Sequence, residues 1–223
     1  MRSLIVLAFA AAVCGLVRHS TLVASAPPQG KAAAGADCVT IGKPKPSVTY
    51  VVQHTESTGR STQLTNVWES VTDTGSRVRI DGPTGVMFQV NEHHIADDVA
   101  VIDKTTKLDA NGRVVETTTF RPGVVGDPAF RACAGRSWSI PPATATYQSP
   151  KINASATSPA GTLKIISIRE RITVPAGTFE AVRYVRTSQS TDEYWKSIDH
   201  GVILKHIGTL PTGAVTDVLI AIR

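Results

Sequence analysis

From residue 48 onward the chain is written in β-branched runs that alternate with polar residues and break at turn residues about every ten positions. That rhythm excludes a helical protein. A helix must repeat its apolar side chains about every 3.6 residues, and beyond residue 26 no such stripe outlasts about three turns. The clearest run is 165–174, where Ile166, Ile168, Ile172 and Val174 fall on one face and Ser167, Arg169, Arg171 and Thr173 on the other. Glu170 interrupts the apolar face. After the turn Pro175-Ala176-Gly177-Thr178, further runs follow at 179–188, 193–197, 202–207 and 218–222, with Asp199-His200-Gly201 as a second turn. Upstream runs lie at 48–55, 63–71, 77–81 and 86–91, and Asn111-Gly112 supplies the positive φ angles of a tight hairpin between two more. The pattern predicts an all-β protein with little helix, an antiparallel curved sheet or half-barrel of about eight to eleven strands.

The stretch 121–160 is richer in Pro, Gly, Ala and Ser, and reads as a long crossing connection anchored by Trp138. It divides the chain into halves 47–132 and 133–223. Neither has enough large apolar residues to stand alone, so a single β-rich domain at 47–223 is expected. Residues 27–46 are Ala, Gly, Pro and Lys with few large side chains, a flexible linker or strap. Only 5% of residues are aromatic, with three Trp and five Phe to anchor a sheet of Val, Ile and Thr. Such a sheet closes incompletely and leaves room for a cavity.

Residues 1–26 have the form of a signal peptide: Arg2, an apolar run from 4 to 17, and Ala24-Ser25-Ala26 as an exit. Cys14 lacks the small-residue setting of a lipidated cysteine and is expected to leave with the leader. The protein is thus expected to be exported, periplasmic or secreted, with no transmembrane segment in the mature chain. Two cysteines remain, Cys38 and Cys133, and an oxidising compartment predicts that they pair. The formal charge of +5 loses Arg2 and Arg18 with the leader, leaving 21 basic against 18 acidic residues, or +3. No basic patch for nucleic acid survives that subtraction.

Candidate chemistry is sparse. His93-His94, after Glu92 and before Asp97-Asp98, is the densest set of metal-ligand types, and the segment 91–98 reads as a loop. On a strand the two rings would face opposite sides and could not share an ion. His54, His200 and His206 are scattered. Glu170 would be an acid or base if it pointed into a cavity and had a raised pKa; otherwise it pairs with an arginine on the next strand. No nucleophile elbow, phosphate loop or zinc cluster occurs, so no catalytic residue, metal or cofactor is assigned. Asn153-Ala154-Ser155 matches a glycosylation sequon.

The C-terminal third, Val174-Pro175-Ala176-Gly177-Thr178-Phe179, then Tyr194-Trp195, then Gly201-Val202-Ile203-Leu204-Lys205, resembles a pattern in uncharacterised exported bacterial proteins. Gly135-Arg136-Ser137-Trp138 resembles an element upstream of it. In physical terms Pro175, Gly177 and Gly201 set turns while Phe179, Trp195 and Trp138 anchor strands. These families are similar to the half-barrels of periplasmic lipoprotein carriers, which implies a cavity for a lipid or other apolar ligand. The expectation is therefore a non-catalytic binding module or envelope-assembly factor. The alternatives are an envelope protein-protein interaction protein with a packed core and, third, an enzyme using Glu170 or the His93/His94 loop. A void of several hundred Å³ lined by apolar residues separates the first from the second.

Overall fold

The computed structural model describes residues 37–83, 87–210 and 213–223, so the leader expected at 1–26, with Cys14, lies outside the described residues. Those residues contain no helix and sixteen strands. The first half of the chain runs β1 (Cys38–Thr40), β2 (Thr49–Thr55), β3 (Ser61–Val71), β4 (Gly75–Asp81), β5 (Met87–Ala96), β6 (Val99–Leu108), β7 (Val114–Pro128) and β8 (Arg131–Cys133). The second runs β9 (Ser137–Ile140), β10 (Ala143–Gln148), β11 (Asn153–Ser158), β12 (Gly161–Val174), β13 (Gly177–Thr187), β14 (Thr191–Ser197), β15 (Ile203–Leu210) and β16 (Gly213–Ile222).

β1 and β8 form a small ribbon, and the other fourteen strands make one antiparallel sheet in the order β11-β10-β7-β6-β5-β4-β3-β2-β16-β15-β14-β13-β12-β9. The all-β, antiparallel expectation holds. Two hairpin meanders meet where β2 pairs with β16, so a single sheet runs through both parts of the chain. The Asn-Gly hairpin is present, with Gly112 at φ 75° and Asp109 Oδ1 accepting from the backbone N–H of Asn111 and Arg113 at 2.8 and 2.9 Å. The sheet exceeds the expected strand count because 121–160 is not a bare connection. It holds the end of β7 and all of β8 to β11. β10 does alternate, with Ala143 and Ala145 buried and Thr144 exposed, but small side chains carry little β signal.

The run 165–174 also differs from its expected facing. Leu163 and Ile165 are fully buried, while Ile166 is 44% exposed. Register shifts between Ile165 and Ser167, and between Ser167 and Glu170, mark bulges in β12, with Arg169 at φ 59°. An extra residue in one strand swaps the facing of everything beyond it. Ile166 is therefore turned outward, and Ile168, Ile172 and Val174 return to the packed side.

The sheet curls on itself. Val99 and Val101 of β6 and Val125 of β7 share one core cluster with Trp138 and Ile140 of β9, Leu163 and Ile165 of β12, and Val182 and Tyr184 of β13, strands far apart in sheet order. Only Pro141-Pro142 separates edge strand β9 from β10 near the opposite edge, so the chain itself holds those ends within about 11 Å. The segment 37–46 lies over this closure. Val39 and Ile41 are buried in the same cluster, Ile41 N–H donates to Phe130 O at 2.8 Å and Gly42 N–H to Ile198 O at 2.6 Å. Gly201, at φ 64°, lies so close to the strap that a Cβ there would fall 2.0 Å from Gly42 O. Arg136 is a second clasp: it donates to Asp97 Oδ1 and Asp98 Oδ2 at 2.6 Å each, and its guanidinium lies 4.6 Å from the Trp138 ring. Trp138 Nε1 donates to Asp97 O at 2.9 Å.

Cys38 and Cys133 are direct partners in the β1–β8 register and are disulfide-bonded, closing a separation of 95 residues. Closing so long a loop stabilises by on the order of 4 kcal/mol through the unfolded chain. The paired variant Cys38→Ser/Cys133→Ser is expected to lower the unfolding free energy from urea titration by an amount of that order, and reductant is expected to bring the wild type to the variant's midpoint while leaving the variant unmoved.

Candidate functional site

One row of side chains crosses five adjacent strands. Tyr184 of β13 is the direct partner of Tyr194 on β14, Tyr194 of His206 on β15, His206 of Asp217 on β16, and Asp217 of His54 on β2. Directly opposed residues share a face and touch. The rings of Tyr184 and Tyr194 stack at 4.9 Å between centroids, and Tyr194 stacks on His206 at 4.4 Å. Asp217 takes His206 Nδ1 at 2.7 Å on one oxygen and His54 Nδ1 at 2.6 Å on the other. A carboxylate only accepts, so both rings carry a proton on Nδ1. His206 Nε2 faces Asp192 Oδ1 at 3.4 Å, and Asp192 also accepts from Ser190 Oγ at 2.9 Å and lies 3.5 Å from Arg186.

Burial works against a charge on His206, but Asp192 and Asp217 outweigh it and hold its pKa above the ordinary value. Burial likewise works against the charges of Asp217 and Asp192. Hydrogen bonds from the histidines, from Ser190, and the Arg186 charge win, so both carboxyls lie below the usual range. Burial pushes the phenols up, Tyr194 to about 12 and Tyr184 well above its ordinary value, so both stay neutral rings.

Tyr194, His206 and Asp217 line a partly open cavity of about 320 Å³ within the curl. Its apolar wall includes Tyr50, Val52, Trp68, Val78, Ile95 and Leu219, with Tyr50 and Trp68 edge to face at 5.2 Å. A second polar group faces the same space: buried Lys196 of β14 forms an ion pair with Asp127 of β7 and donates to Pro128 O at 2.7 Å. His93 lies on this wall too, with Nδ1 3.4 Å from Ser76 Oγ, and burial, partly offset by Asp127, lowers its pKa.

The segment 91–98 is thus not a loop, because β5 runs to Ala96 and alternation splits the pair. His93 faces the cavity, whereas His94 pairs with Asp103 at 2.8 Å in a half-exposed setting. Among the described residues no group of three or more His, Cys, Asp or Glu is placed to hold a metal. Glu170 lies outside the cavity. It accepts from Trp195 Nε1 at 2.9 Å and Ser167 Oγ at 2.7 Å and faces Arg183 of β13 at 3.9 Å. The Trp195 hydrogen bond leads in lowering its pKa, the opposite of the shift an acid catalyst needs.

The turn and anchor residues sit at strand ends and in the packed layers. Pro175 precedes Gly177, which opens β13 at φ 140°, and Phe179 packs in the second core cluster with its ring 5.8 Å from His200. Trp195 lies beneath the Arg183 and Lys205 cations at 5.3 and 5.2 Å. Sequence reading missed the row from Tyr184 to His54, whose members lie up to 163 positions apart in a hydrogen bond. Only the register brings them together.

Linkage gives the row a pH signature. The His206 contribution is complete below about pH 6.5 and is lost as pH rises through its raised folded value, whereas those of Asp192 and Asp217 are present above about pH 4 and lost as pH falls through their lowered values. The gap in melting temperature between wild type and His206→Gln is therefore expected to be widest at about pH 5–6 and to narrow above neutrality. Gly208 makes room for the contact: a Cβ there would lie 2.7 Å from Asp192 Oδ1 and 3.1 Å from His206 Nε2. Gly208→Ala is expected to destabilise by about 1–3 kcal/mol in urea titrations and to flatten that pH dependence.

No protein-family model and no curated protein matches the chain. Among solved structures, the chain is similar to a Bacteroides fragilis protein of inferred export, described as having a YmcC-like fold. The match has 9% identity and a TM-score of 0.49 and covers 83% of this chain and 100% of the other. A likeness that distant carries no argument about this chain.

Proposed function

We propose that this protein is an exported, non-catalytic module that holds a small, largely apolar molecule inside its curled sheet. The observation that carries this reading is the cavity of about 320 Å³, walled largely by apolar side chains such as Tyr50, Val52, Trp68, Val78 and Leu219, with polar groups set among them. Ligand sites have that make-up, apolar walls with a few convergent polar groups, in volumes of about 300–1,000 Å³. Export is supported by the leader pattern at 1–26 and by the Cys38–Cys133 bond. A volume at the low end of that range favours a short apolar body over a long-chain lipid.

A protein-interaction role has one observation in its favour. Val114, Val115 and Ile152 are 56%, 40% and 63% exposed. Gln148 pairs with both Thr117 and Asn153, which puts Val115 and Ile152 at the same end of the β7-β10-β11 edge. The cavity weighs against the packed core that this reading assumed.

The neutral fluorophore N-phenyl-1-naphthylamine tests the proposal. Its emission is expected to rise on binding to wild type. Val78→Phe, which fills the cavity from β4, is expected to weaken that binding at least about tenfold with the melting temperature nearly unchanged, because the added ring enters free space. Failure of the probe to bind wild type overturns the reading.

A further inference from the structure

The charges on the cavity wall are already balanced by one another. Lys196 is paired with Asp127, and His206 stands between Asp217 and Asp192, with Asp217 also bound to His54. An ionised ligand group entering this space would leave water without a free counter-ion, and burying an unpaired charge costs far more than burying a neutral polar group that finds a hydrogen bond. The wall therefore selects against both anionic and cationic headgroups.

Among the wall groups that retain hydrogen-bonding capacity are Lys196 and His93, both of which interact with the Asp127 carboxylate. The Lys196 ammonium has three N–H bonds, of which one is directed to Asp127 and one to Pro128 O at 2.7 Å. A third donor remains. His93 uses Nδ1 toward Ser76 Oγ at 3.4 Å, and burial keeps its ring neutral, so Nε2 offers the complementary capacity. Asp127 pairs with Lys196, its charge is felt at His93, and all three line the same cavity. A hydroxyl or primary amide, donor and acceptor at once, meets such a pair without bringing charge.

We propose that the ligand is an uncharged amphiphile, an alcohol or primary amide on a short apolar body, with its polar group held by Lys196 and His93 and its body against Trp68, Tyr50 and Leu219. This rests on the reading of the cavity as a ligand site and adds the chemical class.

The test is displacement of N-phenyl-1-naphthylamine at pH 7 by four eight-carbon probes: 1-octanol, octanamide, octanoate and octylamine. Octanol and octanamide are expected to compete at least about tenfold more strongly than the two ionised probes. His93→Phe and the paired variant Lys196→Met/Asp127→Leu, which leaves no buried charge alone, are each expected to weaken octanol and octanamide severalfold or more while the fluorophore still binds and the ionised probes stay weak. Octanoate or octylamine competing as well as octanol overturns the inference and leaves the cavity reading standing. No fluorophore binding at all overturns the cavity reading itself. Octanol and octanamide competing as strongly in both variants as in the wild type removes Lys196 and His93 from the assignment. Where circular dichroism finds the paired variant unfolded, His93→Phe alone decides.

Discussion

The two edges of the fourteen-stranded sheet, β9 and β11, are not hydrogen-bonded to each other, so the curl is held by side chains packed across its interior. Leu163, Ile165, Val182 and Tyr184 on one side meet Val99, Val101 and Val125 on the other. Each fully buried aliphatic side chain there is worth about 1.5–3 kcal/mol. Apolar packing is not directional, however, and would tolerate sliding. Direction comes from the Arg136 clasp onto Asp97 and Asp98, from the Lys196–Asp127 pair between β14 and β7, and from the strap tied down by Cys38–Cys133. The cavity exists because these contacts set how far the sheet can close.

The same closure makes the buried charges affordable. A single carboxylate such as Asp217 inside a β protein would be a liability. Here the register places a histidine on each side of it, and those histidines come from neighbouring strands already fixed by backbone pairing. Tyr194 and Tyr184 extend the row as neutral rings over His206, so the imidazole is held by two carboxylates in its plane and by an aromatic face. Gly208 completes the arrangement by leaving out the one Cβ that would push Asp192 from His206.

Fold class, strand rhythm, the Asn-Gly hairpin and the Cys38–Cys133 bond were legible in the sequence because each depends on local pattern or on simple counting. The facing of 165–174 was not. Period-two alternation assumes an unbroken ladder, and the bulges around Ser167 reverse it, which no count of apolar residues reveals. β10 and β11 were hidden by composition, since Ala and Ser alternate without contrast. The polar site was illegible for a different reason. His54, Asp192, His206 and Asp217 are individually ordinary; the register of β14, β15 and β16 groups the last three, and the joining of β2 to β16, the first and last strands of the large sheet, adds His54. His93 was singled out, but in a loop. Its strand setting is what separates it from His94 and turns it toward the cavity.

The scarcity of aromatics explains why a cavity persists at all. The three tryptophans are spread among three settings: Trp138 in the closure, Trp195 between Arg183 and Lys205, and Trp68 alone on the cavity wall. Besides Tyr50, Tyr194 and Phe130, much of the lining is valine, isoleucine and small polar residues, too short to fill the curl. Filling it would need more large rings, and closing it further would drive Lys196 and His206, with their carboxylates, into apolar side chains. The paired charges thus hold the wall apart as much as they hold the strands together, and the space left between them is neutral in charge and apolar over most of its surface.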